Sequence, residues 1–191
     1  MLFRSYTVRL SVNGKSYTQP LTLKLDPRVK TPATGLAQLA SLSREMYEGA
    51  AATHSALLQG RALSQRLAGL SSPDAAALKA RIDSIAPPAV AGGRGRGGRG
   101  GFGGGRGRGG APAGPPTLET VSNAQIAAAS PMQEADMTPT TGQVAAVARA
   151  RADAKAVMDR WTAIRTRDLA AFNAKQKAAG QPTVELPPPS D

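Results

Sequence analysis

The side chains that most often carry out catalysis are scarce in this sequence. It contains one histidine, His54, and no cysteine among its 191 residues. A Cys-His pair or a metal site with two histidines therefore cannot be built from this chain. His54 stands in a stretch of small residues with helical periodicity, and we interpret it as an ordinary helix residue. The sequence predicts no catalytic residue, no metal site and no cofactor.

The acidic residues do not suggest a glycosidase either. They are scattered along the chain, and many lie at helical spacing from a basic residue, as Asp159 does from Lys155. Glycoside hydrolysis needs two carboxyl groups held at a fixed separation in a rigid cleft. A slim helical bundle offers no such cleft, so we predict no catalytic carboxylate pair.

The sharpest chemical signal is a low-complexity segment from Gly92 to Gly110. Thirteen of its 19 residues are glycine, and the others are five arginines and one phenylalanine. RGG boxes of this kind bind RNA through phosphate pairing, guanidinium stacking and base stacking. In that interpretation the nucleic-acid-binding residues are Arg94, Arg96, Arg99, Phe102, Arg106 and Arg108.

A competing interpretation of this segment is a tolerated expansion of a surface loop. Doubling the length of a loop costs only about 0.6 kcal/mol. The segment has a single aromatic residue and no folded RNA-binding module beside it. We therefore favour the tolerated loop, and we expect the segment to be disordered because it has too little apolar surface to bury.

The net charge of +11 is concentrated in two parts of the chain. Residues 1–30 hold six basic residues and one acidic residue, and residues 92–110 hold five arginines and no acidic residue. The rest of the chain is nearly neutral, so an attraction to nucleic acid would have to come from these two parts. We interpret the basic residues of the first part as the solvated face of a sheet: Arg4, Arg9, Lys15 and Lys24.

Residues 1–25 have the pattern of a β-hairpin. Apolar and polar residues alternate from Tyr6 to Val12, Asn13-Gly14 suits a two-residue turn, and the alternation resumes at Leu21. Two strands alone are marginal in water, because their apolar face needs a cover. We therefore predict that they are the last two strands of a β-sandwich whose earlier strands lie upstream of Met1.

The remainder of the chain has the periodicity of helices. Two long arms, at about 34–70 and 140–179, flank a middle arm that is divided into 74–86 and 118–129. Trp161 and Phe172 lie at helical spacing with Met158 and Ile164, so we expect them in the core. A Ser or Thr before Pro marks three predicted helix starts: Thr31-Pro32, Ser72-Pro73 and Thr138-Pro139.

The predicted fold is mainly α with a small β part. An N-terminal β-hairpin precedes an elongated up-down-up three-helix bundle, which a disordered Gly/Arg linker interrupts. The predicted segments are the hairpin (1–30), the first long helix with the first half of the middle arm (31–86), the linker (87–116), the second half of the middle arm with the last long helix (117–179), and a Pro-rich tail (180–191). The apolar runs are shorter than the roughly 20 residues that span a bilayer, so we expect no membrane partner.

The string from Tyr6 to Val29 resembles a known family. Tyr-Thr-Val-Arg-Leu in the first strand and Lys-Leu-Asp-Pro-Arg-Val after the second are similar to the C-terminal region of bacterial BNR-repeat, sortilin-like β-propeller proteins of the glycosyl hydrolase or sialidase-like type. In that family a short β-sandwich with this ending is followed by a long helical tail. The resemblance implies an exported parent protein whose propeller holds any glycan-processing site, and it transfers no catalytic residue to this chain.

The sequence thus leaves two functions open. The first is a non-catalytic C-terminal structural or interaction module of a larger exported β-propeller protein, with the upstream sandwich and propeller domains as partners and with the helices available to a protein partner. The second is a small RGG-type RNA-binding protein whose helices mediate self-association. An upstream reading frame that encodes propeller blades would favour the first, and a genuine start at Met1 the second.

Overall fold

The computed structural model describes residues 4–24, 26–89 and 115–188. These residues form a two-stranded antiparallel hairpin followed by a helical bundle, which confirms the predicted fold class. The elements are β1 (Arg4–Val12), β2 (Lys15–Leu23), α1 (Ala33–Ala68), α2 (Pro73–Asp83), α3 (Leu118–Ala129), α4 (Thr141–Ala163) and α5 (Leu169–Ala178). A 3-10 turn (Ser130–Met132) follows α3, and a π-helical turn (Ile164–Asp168) joins α4 to α5.

The bundle is organised around α1, which packs against α2, α3 and α4. As predicted, α2 and α3 together form the middle arm. The backbone N–H of Leu118 donates to the carbonyl of Ile85 at 2.8 Å, so α3 resumes beside the point at which the chain leaves the end of α2. The predicted linker between them, 87–116, falls largely outside the described residues.

One of the three predicted helix starts is confirmed. The side chain of Ser72 caps α2 by accepting the N–H of Ala75 at 3.1 Å. The prediction at Thr31-Pro32 places the helix in the right region with the wrong cap, because Pro32 precedes the first turn of α1 and makes no side-chain cap. The hydroxyl of Thr31 instead donates to the carbonyl of Asp136, which fastens the start of α1 to the chain before α4.

The predicted helix start at Thr138-Pro139 is wrong. The helix α4 is capped by Thr140, whose hydroxyl accepts the N–H of Gln143 while the Gln143 side chain accepts the N–H of Thr140. This reciprocal capping box satisfies two backbone donors, which a Pro after Thr138 cannot match. Thr138 packs instead against Gly35 at the start of α1.

The last arm is helical throughout, as predicted, but it contains a π-helical turn that the sequence pattern does not predict. The N–H of Leu169 bonds to the carbonyl of Ile164, five residues earlier, which defines the π-helical turn. Gly180, at φ +67°, ends the arm in the left-handed conformation that glycine adopts without strain.

The aromatic residues of the last arm lie in the core, as predicted. Trp161 is 1% exposed and Phe172 is 5% exposed. Val144, which the helical pattern also places on the apolar side, is exposed instead, because it lies in the first turn of α4 beyond the main packing.

A layer of polar side chains divides the bundle core in two. One apolar cluster surrounds Trp161, and a smaller one surrounds Met46. Between them the hydroxyl of Thr53 donates to the carbonyl of Gly49 at 2.7 Å and lies 3.0 Å from the side-chain oxygen of Gln125. These side chains are buried, and their hydrogen bonds offset the cost of removing them from water.

The Pro-rich tail is not a free extension. The side-chain amide of Asn173 donates to the carbonyl of Val184 and accepts its N–H, both at 2.9 Å. Gln59 of α1 donates to the carbonyl of Pro187 at 3.0 Å. The described part of the predicted Pro-rich tail (180–191) is therefore hydrogen-bonded to the bundle at Val184 and Pro187.

Gly60 permits a close approach between α1 and the residue Ala86, which follows α2. A Cβ added to Gly60 would lie 2.7 Å from the Cβ of the buried Ala86 and 3.7 Å from the ring of Trp161. Gly142, near the start of α4, has only the Thr140 hydroxyl within 4 Å, at 3.9 Å. The two glycines therefore form a matched pair for substitution.

We expect Gly60→Ala to destabilise the chain by about 1–3 kcal/mol, because overpacking outweighs the gain of roughly 1 kcal/mol in helix propensity. Gly142→Ala should leave the stability unchanged or raise it. Urea unfolding followed by the fluorescence of Trp161, the single tryptophan, measures both. Equal stability of the two variants would contradict the close packing at Gly60.

Candidate interaction surface on the hairpin

The two strands of the hairpin are in the register that the sequence predicts. They pair from Arg4 with Leu23 to Val12 with Lys15. Asn13 and Gly14 have φ values of 49° and 76°, so both turn residues adopt the positive φ of a type I′ turn. Such a turn matches the right-handed twist of the strands and fixes the pairing of every residue.

This register collects the apolar side chains on one face of the hairpin, which we call the apolar face. Each of its residues is exposed to solvent, with fractions from 44% to 60%. The members are Tyr6, Val8, Leu10, Val12, Tyr17, Leu21 and Leu23. No helix among the described residues covers them, and contiguous exposed apolar patches mark interaction sites.

The opposite face, which we call the polar face, presents hydroxyl groups and one proline. Ser11 and Ser16 are directly paired, with their hydroxyl oxygens 2.9 Å apart. Thr7 faces Pro20, and Arg9 faces Thr18. The hairpin is therefore amphipathic across its thickness, as a sheet is when one face packs on a core.

The register corrects the predicted single basic face. Arg9 lies on the polar face, whereas Lys15 pairs with Val12 at the turn end of the apolar face. Lys24 follows the last residue of β2. Successive side chains of a strand point to opposite faces, so residues 9 and 15 cannot share a face in this pairing.

A hydrogen-bonded turn lies between the hairpin and the bundle. The carboxylate of Asp26 accepts the backbone N–H of Arg28 at 2.9 Å and its guanidinium at 2.7 Å. The hydrogen bond from the Arg28 side chain lowers the pKa of Asp26 below its ordinary value, and the bond from the Arg28 backbone lowers it further by a smaller amount. These residues belong to the Asp-Pro-Arg-Val string that follows the second strand.

The charged groove between α2 and α5 is a weaker candidate. It encloses about 180 Å³ and is lined by two basic and two acidic side chains. Lys175 pairs with Asp74 at 2.8 Å, and a guanidinium nitrogen of Arg81 lies 2.9 Å from the buried Oδ2 of Asp168. That carboxylate also accepts from Arg167 at 3.0 Å, so the groove's charges are already paired within the chain.

The residues of the RNA-binding interpretation, from Arg94 to Arg108, lie outside the described part of the chain. The described residues on either side of them are held by the bundle. Arg61 donates to the carbonyl of Pro87 at 2.7 Å, and Arg160 donates to the carbonyl of Pro116 at 3.3 Å. The described residues Pro87 and Pro116 are therefore each hydrogen-bonded to an arginine of the bundle.

Elsewhere in the described residues, His54 lies exposed on α1, in agreement with an ordinary helix position. In the three described ranges no group of three His, Asp or Glu residues gathers as a metal site would require. None of the helices in those ranges is long and apolar enough to cross a bilayer.

No family model, curated protein or solved structure matches this chain.

Amide exchange tests whether the hairpin depends on an external cover. We expect the amides of Val8 and Leu10 to exchange at least about 100-fold faster than that of Leu63 in α1, since opening a sheet exposed on both faces needs about 3 kcal/mol less than opening the core. NMR of the isolated chain measures these rates residue by residue. Protection of Val8 equal to that of Leu63 would show that the apolar face is already covered.

Proposed function

We propose that this chain is a non-catalytic structural and interaction module, in which the bundle carries a hairpin that completes a β-sandwich. The observation that carries the proposal is the apolar face, whose seven side chains are all exposed in the described structure. Two antiparallel strands with one apolar face correspond to one of the two sheets of a β-sandwich. In a sandwich the sheets bury such faces against each other, about 10 Å apart. The occupant of the face is therefore a second β-sheet.

The parent of this module, in the same proposal, is a larger exported β-propeller protein of the glycosyl-hydrolase-like type. Support comes from the likeness of residues 6–29 to the sandwich ending and junction of that family, and from the order hairpin, turn and long helices. The apolar face supplies the physical need for the upstream sandwich. Any glycan-processing chemistry belongs to the propeller, and the bundle is the helical tail that follows the sandwich.

An immunoblot tests the parent protein. An antibody raised against the helical bundle, applied to denatured extracts of the source cells, should detect a protein much larger than the 19.6 kDa of this chain. Fractionation should place that protein in the periplasm, at the cell surface or in the medium. A single cytosolic band at 19.6 kDa would overturn the proposal.

The RNA-binding function remains the second candidate, and one observation favours it. The sequence from Gly92 to Gly110 holds five arginines and no acidic residue, which is the composition of an RGG box. Five flexible arginines neutralise at most about five phosphates, which gives weak and strongly salt-dependent binding without sequence preference. We therefore place this function below the sandwich module.

A binding assay with single-stranded RNA separates the two candidates. At about 0.15 M salt we expect weak binding, with a steep fall as salt is added. Replacing Arg94, Arg96, Arg99, Arg106 and Arg108 with Gln should abolish it, whereas Lys at the same positions should keep the phosphate attraction and weaken the stacking. Submicromolar affinity that the Gln variant loses would favour the RNA-binding function.

A further inference from the structure

The two edges of the hairpin differ in their capacity to pair with another strand. Opposed residues in an antiparallel pair alternate between hydrogen-bonded and non-hydrogen-bonded positions. Val12 and Lys15 flank the two-residue turn and form a hydrogen-bonded pair. Thr7 and Pro20 lie five positions further along the strands, so the alternation makes them a non-hydrogen-bonded pair. Pro20 has no N–H to donate, and at this position of β2 no N–H is needed for the pairing with β1.

The same alternation decides which backbone groups point outward. Residues at non-hydrogen-bonded positions direct their N–H and C=O groups away from the partner strand. On β1 these are four residues with a complete set of donors: Ser5, Thr7, Arg9 and Ser11. On β2 they are Ser16, Thr18, Pro20 and Thr22, so a proline without a donor stands within that edge.

Pro20 therefore closes the outer edge of β2. A strand approaching this edge would meet the pyrrolidine ring instead of a donor, which is why proline within sheets is confined to edges that stay unpaired. The outer edge of β1 has no such obstacle, and its residues are exposed where their side chains are described. A sheet that continues this hairpin continues from β1.

The charge of the hairpin selects the neighbour. Residues 4–24 contain four basic residues and no acidic one. Arg9 is exposed near the centre of β1, and oppositely charged pairs across strands stabilise a sheet whereas like charges destabilise it. A second copy of this chain, paired through β1, would bring two such basic strands together.

We propose that β1 accepts an extended partner strand in which apolar residues alternate with acidic and hydroxyl residues. Its apolar side chains would continue the apolar face beside Tyr6, Val8 and Leu10, and an acidic side chain would face Arg9. This inference rests on the proposed sandwich and adds to it the edge at which the sheet grows and the charge of the adjoining strand.

Two proline substitutions test the edge. The probe is a fluorescein-labelled, nine-residue synthetic peptide in which valine alternates with glutamate and threonine, and its binding to the full chain is followed by fluorescence anisotropy. Thr7→Pro removes an outward donor of β1, and we expect it to raise the Kd at least about tenfold. Thr18→Pro makes the same change at an outward position of β2 and should alter the Kd less than about twofold.

A second pair guards against loss of the hairpin itself. Ser11 and Ser16 share one hydroxyl contact, so Ser11→Pro and Ser16→Pro lose the same side-chain interaction while they alter different edges of the hairpin. Ser11→Pro should weaken binding and Ser16→Pro should not. The NMR shifts of Tyr6 and Tyr17 confirm that each variant keeps the hairpin.

A control peptide with lysine in place of glutamate tests the charge, and it should bind at least about tenfold more weakly. Equal effects of Thr7→Pro and Thr18→Pro, equal binding of the two peptides, or no binding of the acidic peptide would each overturn the proposal. Dimerisation of the chain that Thr7→Pro abolishes would overturn it in favour of a second copy. The proposed sandwich is judged separately, by the mass and location of the source protein.

Discussion

The close approach of α1 to its neighbours is the constraint on which the rest of the described bundle depends. The sequence supplies few aromatic residues, so the core is filled mainly by aliphatic side chains of closely packed helices. Gly60 leaves room for Ala86 and Trp161, and Gly49 leaves room for the side chain of Gln125. Interiors are packed as densely as organic crystals, so each of these contacts requires a residue without a Cβ on α1.

This packing also explains how the middle arm tolerates its interruption. The bond from Leu118 to Ile85 and the arginine bonds to Pro87 and Pro116 hold the two ends of the break together. The entropic cost of closing a loop grows only slowly with its length, so an insertion at this point of the chain costs little stability.

The hairpin, unlike the helices, does not bury its apolar residues within the described part of the chain. Its local sequence, with strict alternation and an Asn-Gly turn, fixes the pairing of each residue, yet the pairing leaves the apolar face in water. A structure in which every local preference agrees while one face stays uncovered indicates a missing neighbour more than a defect. Pro20 and Arg9 then restrict that neighbour to one edge and one sign of charge.

The sequence by itself determined the hairpin, the register of its turn, the limits of α3 and the burial of Trp161 and Phe172, because each depends on a short-range pattern. Only the tertiary structure decided the start of α1, where Thr31 finds a partner on a distant segment instead of capping. The start of α4 follows from the local capping box of Thr140 and Gln143. The tertiary structure also decided the contacts of the tail near Val184 and the buried pair of Thr53 and Gln125, 72 residues apart. Such contacts join residues whose separation no local period records, and they form only when packing has brought the helices together.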